Sequence, residues 1–88
     1  MKIRFFGNSA CLDCNNVFVI LNKYQVEYEY IDVSNNDKNI QDFCDEQDVD
    51  ELPHLQFLDD DNLVVTEHIG ELDENIFVNY LKKYFPKY

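Results

Sequence analysis

The chain is short of the residues that loosen or break a polypeptide: 88 residues contain two Gly and two Pro, with no internal repeat and no low-complexity block. That excludes a flexible linker. A chain of this length supplies one hydrophobic core, so residues 1–88 read as a single domain. Long apolar runs are missing too. The segment Met1-Lys2-Ile3-Arg4-Phe5-Phe6-Gly7 is too short for the core of a signal peptide, and no later stretch approaches the length that crosses a bilayer. The expectation is a cytoplasmic protein without a membrane partner. Basic residues are scarce, seven Lys plus Arg against 18 Asp plus Glu, for a formal net charge of −11. Such a charge repels phosphate backbones, so no nucleic-acid partner is expected. It reads as a solvated surface, with steering of a basic partner as the alternative. Cysteine is limited to three residues. In a reducing compartment these are catalytic, metal-binding or buried thiols, not a structural disulfide framework.

What the chain has in quantity is large apolar side chains: seven Phe and six Tyr within a 45% hydrophobic composition. They bury a high apolar area per residue, so a small core needs no covalent staple. Lys2 to Phe6 reads as a strand ended by Gly7-Asn8-Ser9-Ala10. Cys14, Val17, Phe18 and Leu21, with Ile20 and Tyr24, form one helix face over about 12–24. Glu27 to Val33 is aromatic and β-branched, a second strand; strand, helix and strand make a crossover unit with parallel strands. Capping residues from Ser34 to Asp37 precede Ile40, Phe43 and Cys44, a shorter helix to about Gln47. Leu52-Pro53 interrupts. Residues 54–58 and 63–68 flank the polar turn Asp59-Asp60-Asp61-Asn62 and read as an antiparallel pair. Asp73 can cap a last helix with inner face Ile76, Phe77, Tyr80, Leu81 and Tyr84, stopped by Pro86. The order βαβαββα gives an α/β fold, a four-stranded mixed sheet with helices on its faces.

Cys11-Leu12-Asp13-Cys14 places two thiols three positions apart at a helix start, on one face and within disulfide reach. Cys11, at the helix N-terminus, lies where unpaired N–H groups and the macrodipole favour a thiolate, so it is the expected nucleophile. Cys14 shares its face with Val17, Phe18 and Leu21; deeper and shielded, it is the expected resolving thiol. Asp13 suits a first helical turn, yet its charge disfavours a nearby thiolate. Zinc sites use the same spacing, but need further ligands, and here the remaining candidates are Cys44, His54 and His68 without a second paired motif.

With those elements in order, the whole chain resembles a glutaredoxin of the thioredoxin superfamily. Phe6-Gly7-Asn8-Ser9-Ala10-Cys11-Leu12-Asp13-Cys14 is similar to that family's active-site segment, and Leu52-Pro53-His54 to its cis-proline loop. His68-Ile69-Gly70 resembles the start of its glycine turn, with Asp73 near an acidic position of that turn. The resemblance implies a thioredoxin-like, glutaredoxin-type fold with three helices flanking the sheet, and a monomer. It implies thiol-disulfide oxidoreductase chemistry at Cys11 and Cys14, with Leu52, Pro53, Gly70 and Asp73 as substrate-binding residues. Pro53 would be cis beside Cys11, and Leu52 would offer backbone groups that hold the substrate as an added strand. Implied partners are a disulfide-containing protein or small molecule, and glutathione or a thioredoxin-reductase-type flavoenzyme as donor, with no bound cofactor or metal. Three departures concern glutathione. Leu12-Asp13 replaces Pro-Tyr, no Lys or Arg occurs from Phe5 to Asn22, and Gly70-Glu71 replaces a pair of glycines. Lys38 is left as the candidate carboxylate partner, so weak glutathione binding is expected.

Cys44 shares a stripe with Ile40 and Phe43 and reads as a core residue. His54 and His68 read as packed strand residues. Two rivals use the same cysteines differently. A Cu(I) or other soft-metal carrier also places Cys-X-X-Cys after a first strand, but in βαββαβ order and without the X-Pro step. A non-catalytic thioredoxin-like adaptor has no need of a reactive pair.

Overall fold

The computed structural model describes residues 1–86. Along strand β1 (Lys2–Gly7) side chains alternate, so Phe5 and Phe6 leave on opposite faces and each needs its own cover. Phe5 is covered by helix α1 (Leu12–Lys23), its ring 4.9 Å from that of Phe18. After strand β2 (Tyr28–Asp32), helix α2 (Lys38–Glu46) covers Phe6, whose ring lies 5.9 Å from Phe43. Strands β3 (His54–Leu58) and β4 (Val64–Ile69) complete the sheet, and helix α3 (Glu74–Tyr84) packs Phe77 and Tyr80 on Phe57 of β3. The strand order is β2-β1-β3-β4, with β1 and β2 parallel and the other pairs antiparallel. The α/β fold read from the sequence, a four-stranded mixed sheet flanked by three helices, is therefore the one found.

The two faces differ in chemistry. Ile3, Phe5, Cys14, Val17, Leu21, Leu55, Phe57, Leu72 and Phe77 are fully buried between the sheet and helices α1 and α3. Under α2 the buried layer is partly polar. Gln56 accepts from Arg4 Nη1 at 2.8 Å and donates to Gln47 Oε1 at 2.8 Å. His54 is buried against the Phe6 ring, and its Nε2 contacts the Glu67 carboxylate. Each helix starts at a side-chain cap: Cys11 for α1, Asp37 for α2 and Asp73 for α3.

Boundaries differ from the sequence reading where turns take residues that periodicity assigns to regular elements. Leu63 belongs to the hairpin, donating to Asp59 Oδ1 at 3.0 Å and accepting from Asp59 N at 3.0 Å, so β4 begins one residue later than expected. Asn62 supplies the positive φ of that turn. Tyr24, expected inside α1, is its C-cap.

Candidate active site

The parallel and antiparallel registers bring four chain segments to one end of the sheet. Gly7 of β1 pairs with Asp32 of β2, Phe6 pairs with His54, and His54 pairs with Ile69. The Cys11 loop leaves β1 at that end, the Leu52-Pro53 step enters β3 there, and Gly70 follows β4 there. Two hydrogen bonds join these segments directly. Gly70 N donates to Pro53 O at 2.8 Å, and Asn16 Nδ2, from the first turns of α1, donates to Leu72 O at 2.8 Å.

Cys11 is the N-cap of α1, with extended backbone, and its Sγ accepts the N–H of Cys14 at 3.2 Å. The sulfur thus occupies the place an oxygen takes in an ordinary cap, facing the unpaired amides of the first turn. Cys11 is half-buried, whereas Cys14 is fully buried. All three cysteines are free thiols. Burial pushes the Cys14 thiol up to about 11; the hydrogen bond with Cys11 and the charges of Cys11 and Asp13 act in the same direction, against a lowering contact with the Asn8 backbone. Tyr30 is also raised, first by burial, then by Asp32 and by the two thiols, which sets that hydroxyl within the field of the pair.

Leu52-Pro53 is cis, Leu52 is half-buried and packs on the core cluster that Cys11 also joins, and Pro53 is buried. The β1–β3 register, continued by one residue from Phe6 and His54, sets Pro53 level with Gly7. Gly70 adopts φ +94, and a Cβ there would meet nothing within 4 Å, so the position is backbone-determined and open. Asp73 is exposed, and its Oδ1 accepts Ile76 N at 2.8 Å, a helix cap. Of the residues named from the sequence, Cys11, Cys14, Leu52, Pro53 and Gly70 are thus gathered at one end of the sheet, with Asp73 just beyond.

Three contributors were not anticipated. Gly7 allows close approach, since a Cβ there would stand 3.0 Å from Cys14 Sγ. The rarity of glycine was the available signal. Asn16, an exposed helix residue, gave none for its tie to Leu72. Tyr30, within the aromatic second strand, gave none either. Cys44 is buried on α2 and its thiol is raised by that burial. His68 bridges Tyr80 OH at 2.9 Å and Glu71 O at 2.8 Å. Among the described residues no group of three or more His, Cys, Asp or Glu is placed to hold a metal ion, and no helix is long and apolar enough to cross a membrane.

No protein-family model and no curated protein matches the sequence. Solved structures do match in shape. Thioredoxin 1 from Thermosipho africanus TCF52B superposes with a TM-score of 0.75 at 21% identity, over 99% of this chain and 97% of that one. A mutant thioredoxin from Halobacterium salinarum NRC-1 gives 0.77 at 21% identity, over 94% and 73%. Thioredoxin O2 of Arabidopsis thaliana, in its oxidised state, gives 0.73 at 18% identity, over 96% and 74%. The chain has the thioredoxin fold.

Proposed function

We propose that this chain is a glutaredoxin-like dithiol thiol-disulfide oxidoreductase, a monomer of the reducing cytoplasm. Cys11 is its nucleophile and Cys14 its resolving thiol. The observation that carries the reading is the asymmetry of the pair: a half-buried Cys11 whose sulfur accepts the Cys14 amide at the start of α1, beside a fully buried Cys14. The Cys11 thiolate attacks one sulfur of a substrate disulfide; that S–S bond breaks, and one thiolate leaves and takes a proton from water. Cys14 loses its proton and attacks Cys11 Sγ. The mixed disulfide breaks, the second substrate thiolate leaves, and the pair is left as a disulfide, two electrons having passed to the substrate.

Leu52, beside the cis peptide bond, and Gly70, whose N–H ties the two loops together, form the substrate's backbone seat. Asp73 holds the start of α3 beside it. Glutathione or a thioredoxin-reductase-type flavoenzyme would return the two electrons. The test is reduction of insulin disulfides with dithiothreitol as donor. Cys11→Ser should abolish turnover, and pre-reduced Cys14→Ser, freed of dithiothreitol and then mixed with insulin, should stop at a covalent mixed disulfide visible by mass. Undiminished turnover by Cys11→Ser would refute the proposal.

A further inference from the structure

We propose that the Cys11 site, if it is the dithiol centre argued above, selects disulfides carried on cationic molecules, basic peptide segments above all, and turns away anionic ones. The inference rests on which charges the fold assembles around the pair. Every segment that reaches this end of the sheet brings a carboxylate. Asp13 lies between the two cysteines, Asp32 pairs with Gly7 at the end of β2, Glu51 precedes Leu52, and Glu71 and Asp73 flank Leu72. Asp13, Glu51, Glu71 and Asp73 are exposed. Two observations tie these charges to the sulfurs. Asp13 acts on the Cys14 thiol, and Asp32 and both thiols act on the Tyr30 hydroxyl. The Asn16 bond to Leu72 O holds the Glu71 and Asp73 turn against the first turns of α1.

Among the described residues, most of the ion-paired cations lie away from Cys11. Lys2 and Arg4 face Glu29, at 3.7 and 4.0 Å, and Lys23 pairs with Glu74 on the far end of α1. Lys38, at the start of α2, is a basic residue on a neighbouring segment. A substrate sulfur must come within bonding distance of Cys11, and at about 10 mM salt, where the Debye length is about 30 Å, its neighbouring charges feel these carboxylates with little screening. Positive flanks are drawn in, and negative flanks are repelled.

The test is a single turnover that needs no second donor. Pre-reduced protein, freed of reductant, is mixed with cystamine, a dicationic disulfide, or with 3,3′-dithiodipropionate, a dianionic one. Each gains two electrons, giving two thiols, as the Cys11-Cys14 disulfide forms. The loss of protein thiols gives the rate, and each rate is divided by that of free dithiothreitol with the same disulfide, which removes the difference in leaving thiols. At low salt the normalised rate for cystamine should exceed the other by about tenfold, and the ratio should shrink towards about threefold by 0.5 M salt. The Glu51→Gln, Glu71→Gln double variant should also reduce the ratio, with both cysteines intact. Equal normalised rates, a ratio indifferent to salt, or a preference for the anionic disulfide would each overturn the selectivity. Failure of both disulfides to oxidise the pair would overturn the dithiol reading and this inference with it.

Discussion

Cys11 and Cys14 are three residues apart yet sit in different media, one half-buried and facing helix amides and one fully buried under α1. Burial, the largest cause of the Cys14 rise to about 11, persists when Cys11 is in a mixed disulfide; the contributions of the Cys11 hydrogen bond and charge do not. The resolving step should therefore accelerate steadily from pH 7 to 9, as the thiolate fraction rises below a raised thiol pKa. Quenched-flow mass spectrometry of the mixed disulfide measures it, and a rate flat over that range would contradict a buried, protonated Cys14. The stability linkage has the matching sign. The folded chain holds the Cys14 proton more tightly than the unfolded one, so this stability is present below the ordinary thiol range and lost as pH rises through about 11. Gly7→Ala tests the close approach. The backbone φ there is ordinary, so the lost unfolded-state freedom would stabilise by about 0.4–1 kcal/mol, but a Cβ 3.0 Å from both Cys14 Sγ and Phe5 Cε1 overpacks, costing about 1–3 kcal/mol. A lower urea midpoint is the expected result. The placement of the two thiols was legible because a pair three residues apart at a helix start sets one at the cap and one in the first turn. The role of Gly7 was not, because it depends on where β1 lies against α1.

The elements were legible wherever apolar spacing had a period, as in α1 and α3, and β3 was placed at residues 54–58 as found, but its burial was not legible. His54-Leu55-Gln56-Phe57-Leu58 alternates polar and apolar residues, the pattern of a half-solvated strand, yet all five side chains are buried. Its polar face is covered by α2, with Gln56 satisfied by Arg4 and Gln47 and with His54 facing Glu67. Alternation reports which residues share a face, and the chemistry of the covering helix decides whether that face is wet. Asp73 shows a related ambiguity. The resemblance suggested substrate contact for it, and its carboxylate caps α3 at Ile76 N. Asp73→Ala should lower stability by about 1 kcal/mol, whereas Asp73→Asn, which keeps an accepting oxygen, should remain within a few tenths. Urea denaturation separates the two. Equal losses for Ala and Asn would mean that the charge, not the cap, is what the fold requires.

For the whole molecule the net charge of −11 sets the terms on which any donor approaches. Glutathione carries two carboxylates and one ammonium, so it arrives with net negative charge. It would meet Asp13, Glu51 and Glu71 around Cys11, with Lys38 as a cation on a neighbouring segment. An isolated exposed ion pair contributes about 0–1 kcal/mol, too little to offset several unpaired like charges that low salt leaves unscreened. Glutathione should therefore cleave a Cys11 mixed disulfide, held in the Cys14→Ser variant, more slowly than a neutral thiol such as 2-mercaptoethanol at equal thiolate concentration. Raising ionic strength from about 10 to about 200 mM shortens the Debye length from about 30 Å to below about 10 Å, so the gap should narrow over that range. A glutathione rate above that of the neutral thiol at low salt would reveal a tripeptide seat strong enough to override the field of the protein. The donor would then be read from that seat, not from the charge.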